Sequence, residues 1–101
     1  MEITVKQKNV HSKKLFEAVD EHVRAIVMLL DLVTDIESVV ALISMLLAEE
    51  AEPHKLEQIN VICDARNNKI SNMMNGKYII DIYYRHKNCY NTTQLSYTIQ
   101  K

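Results

Sequence analysis

The sequence predicts an α+β domain, a small and mainly antiparallel sheet with helices packed on it, in the order β-α-α-β-β-β. Two observations carry that expectation. The apolar residues repeat every three or four positions between residues 12 and 52, and every second position before and after that stretch. The chain of 101 residues also holds one Gly and one Pro, so loops are few and short. This length makes one domain, divided here into a terminal strand over 1–8, a helical region over 12–52 and a three-stranded region over 58–100.

The first strand is read from "MEITVKQK". Ile3 and Val5 fall on one face, with Glu2, Thr4, Lys6 and Lys8 on the other, a pattern of a half-buried or edge strand. Ser12 stands where a helix N-cap belongs. Behind it Leu15, Val19, Val23, Ile26, Leu30 and Val33 trace one helix face, thickened by Phe16 and Val27. Thr34 and Glu37 have capping-box spacing, which suggests a second helix, although one long bent helix also fits. Its stripe is Ile36, Val39, Val40, Ile43, Leu46 and Leu47, and Pro53 ends it. Glu49, Glu50 and Glu52 lie at the helix C-terminus, where the helix dipole disfavours negative charge.

After Pro53 the period becomes two. Ile59, Val61 and Cys63 share a face, and a polar loop follows with Met73 and Met74 in its second half. Asn75-Gly76 is a turn pair that tolerates positive φ. "KYIIDIYYR" alternates Tyr78, Ile80, Ile82 and Tyr84 against Ile79, Asp81, Tyr83 and Arg85. "HKNCYN" turns, and Leu95, Tyr97 and Ile99 alternate through the last strand.

Charge is sorted along the chain: net +3 over residues 1–14, −8 over 15–57 and +4 over 58–101. Such a distribution fits a solvated helical face, or attraction between copies. Two cysteines, Cys63 and Cys89, form no disulfide framework and read as reduced thiols. The first residues lack a secretion-signal pattern, and "AIVMLL" is far too short for a membrane span.

The chemistry-bearing residues do not assemble into a motif. His11, His22, His54 and His86 have no metal-ligand spacing with one another or with the cysteines. Cys63 and His86 could meet across paired strands, but Cys63 lies on an apolar face, where thiols are usually inert. One glycine cannot build a phosphate-binding loop. Arg66, Lys69, Lys77, Arg85 and Lys87 lie among tyrosines that could stack on bases, yet Tyr alternates with Ile as in a packed sheet. The expectation is therefore no enzyme, no cofactor, no metal and no membrane, with nucleic acid disfavoured and protein partners, including further copies of the chain, favoured.

Residues 59–100 resemble the C-terminal, inner domain of contractile phage tail sheath proteins. The resemblance rests on Val61, on Cys63-Asp64 at a strand end, and on Asn68, Met73 and Gly76 in the loop. Tyr78, Ile82 and Tyr83 match an aromatic-aliphatic strand, and Leu95, Tyr97 and Ile99 the closing strand. The chain departs from the pattern at His86, where the family usually has proline, and at "HKLEQ", where it has a Gly-containing turn. The resemblance implies a bacteriophage structural or assembly protein, placed in the virion or the infected host's cytoplasm. It also implies association by strand exchange or addition. On that reading Ile3, Val5, Leu95, Tyr97 and Ile99 are strand-pairing positions, and Cys63, Asp64, Asn68 and Gly76 shape the loop. The alternative is a small phage-encoded inhibitor of the anti-defence kind. It would present an acidic helical face of Asp20, Glu21, Asp31, Glu49 and Glu50 to a basic partner.

Overall fold

The computed structural model describes residues 2–29, 36–64 and 77–100. Its elements are β1 (Glu2–Lys8), α1 (Lys13–Met28), α2 (Ile36–Ala51), β2 (Leu56–Asp64), β3 (Lys77–His86) and β4 (Thr93–Gln100). The fold is α+β, and the helical region is two helices. Thr34, Leu30, Val33 and the loop residues Asn68, Met73, Met74, Asn75 and Gly76 lie outside the described residues, as do Arg66, Lys69 and Asp31.

The four strands form one antiparallel sheet in the order β1-β4-β3-β2. The chain's two terminal strands therefore lie side by side, with Ile3 opposite Ile99 and Val5 opposite Tyr97. In an antiparallel ladder directly opposed residues share a face. One face thus collects Ile99, Tyr97 and Leu95 from β4 and Tyr78, Ile80, Ile82 and Tyr84 from β3, all buried. Both helices lay their apolar rows on this face, Leu15, Val19, Val23 and Val27 from α1 and Val39, Ile43 and Leu47 from α2. The opposite face carries Thr4, Ile79, Asp81, Tyr83, Gln94, Ser96 and Thr98, none of them buried. One apolar layer and one wet face explain the strict period of two in β3 and β4.

The buried rows of both helices run in steps of four. A helix of sixteen residues that packs along a single ridge buries such a row. Of the sequence stripe and its flank, the structure buries Val27 fully and Ile26 partly, because a row of four-residue steps drifts round the helix faster than the three- and four-residue average. Ser12 caps α1, its hydroxyl accepting from the Leu15 N–H at 3.2 Å.

β2 begins at Leu56, two residues earlier than the sequence pattern places it. Glu57 opposes Arg85 and Asn60 opposes Tyr83, so Gln58 and Ile59 together oppose Tyr84. That is a β-bulge, with Gln58 at φ 55°. It restores the inward set Ile59, Val61 and Cys63 after Leu56 has already faced inward. Turns in a chain with one glycine need other residues at positive φ, and Asn9, Lys55 and Asn88 supply them. Asn tolerates this region because its side chain can bond locally, whereas a lysine there carries a steric cost.

Candidate interaction surfaces

Three surfaces follow from this architecture: the sheet edges, the end where the turns gather, and the acidic positions on the helices. The edges come first. β4 is flanked by β1 and β3, so Leu95, Tyr97 and Ile99 pair within the chain and are fully buried. Ile3 and Val5 are half-buried beside them on edge strand β1. Ile3 and Val5 thus pair with Ile99 and Tyr97 inside one chain, and Leu95 pairs with Gln7 and Ile82. On its open face β1 carries Glu2, Lys6 and Lys8, charges of the kind that discourage a further strand at an edge.

β2 is the other edge. Among the described residues it pairs only with β3. From Gln58 to Cys63 it has no charge, and Ile62 is 47% exposed on the open face opposite Asp81. The bulge twists its first half. The stretch Asn60–Asp64 stands in regular register with Tyr83 to Ile79. Cys63 opposes Ile80 and, half-buried, packs against the core. Cys63 and His86 lie at opposite ends of the β2–β3 ladder, so the pair weighed for nucleophilic chemistry is not brought together.

The turn end brings other residues together instead. Lys87 N–H donates to the Lys55 carbonyl at 2.8 Å, and Thr93 Oγ donates to the Asn9 carbonyl at 2.8 Å. These bonds hold the turns after β1, α2 and β3 side by side. His11 packs on His86 with ring centroids 4.6 Å apart, and Cys89 Sγ lies 3.9 Å from the His11 ring nitrogens. Tyr84 meets His86 edge-on at 5.9 Å, and burial pushes the Tyr84 hydroxyl up to about 12. The register of Lys8 opposite Gln94 sets the turns that hold His11 and Cys89 at the same end of the sheet. Tyr90, 98% exposed, stands at the tip of the β3–β4 turn. Among the described residues no group of three His, Cys, Asp or Glu side chains is arranged to hold a metal ion.

His86 is 9% exposed, and its Nε2 has no hydrogen-bond partner among the described residues. Burial holds its pKa below the ordinary histidine value, and the nearby charges of His11 and His54 push the same way. The unfolded chain therefore takes up this proton first as pH falls. Stability from a neutral His86 is full above the unfolded value near 6.5 and is lost as pH drops through it toward the depressed folded value. His11 and Tyr84 pack on the His86 ring and His54 lies near enough to act on its charge, with Glu50 paired to His54 at 3.1 Å. Urea midpoints between pH 7.5 and 5 are expected to fall with pH. His86→Leu should flatten that slope by up to about 1.4 kcal/mol per pH unit. An equal slope in the variant would assign the dependence to other groups.

The acidic face is divided by the structure. Asp20 accepts from the Tyr97 hydroxyl at 2.8 Å and from Arg24 Nε at 3.0 Å, so it is occupied within the chain. Glu50 pairs with His54. Glu21 and Glu49 are exposed. Arg24, which the helical wheel puts on the solvent side, is half-buried and also reaches the Ile3 carbonyl at 3.4 Å. The tyrosines are likewise split. Tyr78, Tyr84 and Tyr97 are core, and only Tyr83 and Tyr90 are available at a surface. Arg85 is paired with Glu57. A stacking platform of basic residues and tyrosines does not form on β3.

An α+β domain whose one sheet has an open face and two edge strands is the class that fold and surfaces define. No family model, no curated protein and no solved structure matches the chain. No helix of the described residues is long and apolar enough to cross a membrane.

Proposed function

We propose that this chain is a non-enzymatic structural or assembly protein of phage type. It would join neighbouring chains by strand addition at a sheet edge, as the resemblance to sheath inner domains implies. No cofactor takes part in this reading. The single observation that supports it most is the β2 edge: an uncharged run from Gln58 to Cys63 with one neighbour strand among the described residues. Backbone groups on such an edge give affinity to any extended partner, and alternate side chains set its register. Val61 and Cys63-Asp64, which carry the resemblance, belong to this same edge.

The test uses the full chain. Wild-type protein is expected to sediment as species larger than a dimer. Ile62→Lys places a charge on the exposed side of the edge, in the manner of natural edge protection. It should reduce the assemblies to their smallest unit while leaving far-ultraviolet dichroism unchanged. A wild-type chain no larger than a dimer would refute the reading, and so would an unaltered size distribution in the lysine variant.

A further inference from the structure

A different device, independent of strand addition, sits at the turn end. Three connections from distant parts of the chain each bring a histidine there: His11 from between β1 and α1, His54 from between α2 and β2, and His86 from the last position of β3. His86 is the buried one. The exposed His11 ring packs on it with centroids 4.6 Å apart, and Tyr84 closes a second side edge-on. Imidazole is the side chain that ordinarily changes charge between pH 5 and 8. Two charged rings this close repel each other, and His86 Nε2 has no hydrogen-bond partner among the described residues to hold a proton in place. The surrounding charges do not offer one. His54 is basic and Glu50 is paired with it. Glu57 and Arg85, next to Leu56 and His86 in the ladder, pair with each other. Lys55 and Lys87, bonded through their backbones, are exposed cations, and Cys89 contributes its N–H to the His86 carbonyl at 3.1 Å.

The cover over His86 is a short strap, residues 9–12. Its Asn9 carbonyl accepts from Thr93 Oγ at 2.8 Å, Val10 packs half-buried at the core margin, and Ser12 caps α1. A cleft of about 330 Å³ runs beside it, lined by Val10, His11, Cys89 and Tyr90. The strap directly follows β1, an edge strand with one neighbour among the described residues. At the far end of β1, Arg24 holds the Ile3 carbonyl at 3.4 Å. We propose that residues 9–12 form an acid-released latch: His86 takes up a proton only when His11 swings away, and with the strap open β1 peels from β4 starting at Lys8. The closed end excludes a proton that the open end accepts. Closure is therefore complete above the ordinary histidine value of 6.5 and weakens as pH falls below it, by up to about tenfold per pH unit for one proton. Opening is local, because the strap and the Lys8 end of β1 can leave while both helices stay on the sheet.

Amide hydrogen exchange of the full chain, read residue by residue and corrected for the pH dependence of exchange itself, tests the latch. Between pH 7.5 and 5.5, protection across the pairs Gln7–Leu95 and Lys8–Gln94 should fall at least about tenfold, while protection across Val61–Ile82 changes less than about threefold. His86→Leu removes the sensor, and the extra loss at the β1 end should vanish. A second variant leaves the core untouched: His11→Ala, at an exposed position, takes the cover off His86. Its β1 end should be poorly protected already at pH 7.5 and lose less than about threefold on acidification. An acid-induced loss spread evenly over both ladders would overturn the proposal. So would a tenfold loss at the β1 end that persists in a folded His86→Leu chain or in His11→Ala.

Discussion

Truncating Tyr97 to alanine is expected to cost about 3–5 kcal/mol, a large share of the ~5–15 kcal/mol that holds such a domain folded. Tyr97 is fully buried at the centre of the core face, between Val5 of β1 and Ile80 of β3. Its ring supplies the packing under α1. Its hydroxyl carries a second task, donating to Asp20 at 2.8 Å. Asp20 also accepts from Arg24, and Arg24 reaches the Ile3 carbonyl. This chain of bonds ties α1 to β4 and β1 together. Burial raises the Tyr97 pKa, and the hydrogen bond to Asp20 adds to the rise, so the hydroxyl stays protonated and keeps donating. Tyr97→Phe keeps the ring and loses only the donor. Asp20 is partly exposed and retains Arg24, so that variant should lose only about 1–2 kcal/mol. Urea unfolding of the two variants separates the terms. A loss below about 2 kcal/mol for the alanine variant would show that the site collapses onto its neighbours instead of leaving a cavity.

The inward set of β3 and β4 was legible because period-two alternation is unambiguous where one sheet face is buried and the other wet. Ser12 was legible because capping is local chemistry. The outer face of α2 was not. Periodicity identifies a buried side by contrast, and from Ser38 to Ala48 there is no contrast to read. The stripe Ile36, Val39, Val40, Ile43, Leu46 and Leu47 contains the buried row, but only the sheet singles out Val39, Ile43 and Leu47 within it. The bulge at Gln58 escaped for another reason: inserting a residue shifts the alternation, and only the partner strand reveals it. Strand order is a long-range fact, so the adjacency of β1 and β4, and with it the meeting of His11 with Cys89, lay outside any local pattern. Of the candidate surfaces, the sequence pointed to the strand positions but left their partners open. It grouped Asp20 with free acids because the hydroxyl that occupies it comes from a residue in the last strand.

Deleting Glu2–Lys8 is expected to have the other large effect and to report directly on strand addition. β1 contributes Ile3 and Val5 to the core margin and covers one whole edge of β4. Two half-buried aliphatic side chains alone are worth about 1.5–3 kcal/mol. Their loss would bare the ladder groups of β4 and uncover Ile99, Tyr97 and Leu95, which the intact chain keeps from water. The shortened chain should therefore melt without cooperativity, or at a much lower temperature. A synthetic peptide of residues 2–8 should restore the transition by taking the vacated place, Glu2 opposite Gln100 through Lys8 opposite Gln94. The register is specified by the faces. A peptide carrying Ile3→Lys puts an ammonium beside Ile99 and should fail, whereas Thr4→Lys, on the open face opposite Thr98, should rescue as well as the parent. Equal rescue by both lysine peptides would mean that the added strand binds without using the core face. A shortened chain that melts like the full one would mean that β1 contributes little to the fold. If only the parent and Thr4→Lys peptides rescue, the sheet accepts an extended segment in trans by the same backbone pairing and face selection that a neighbouring chain would have to satisfy at the β2 edge.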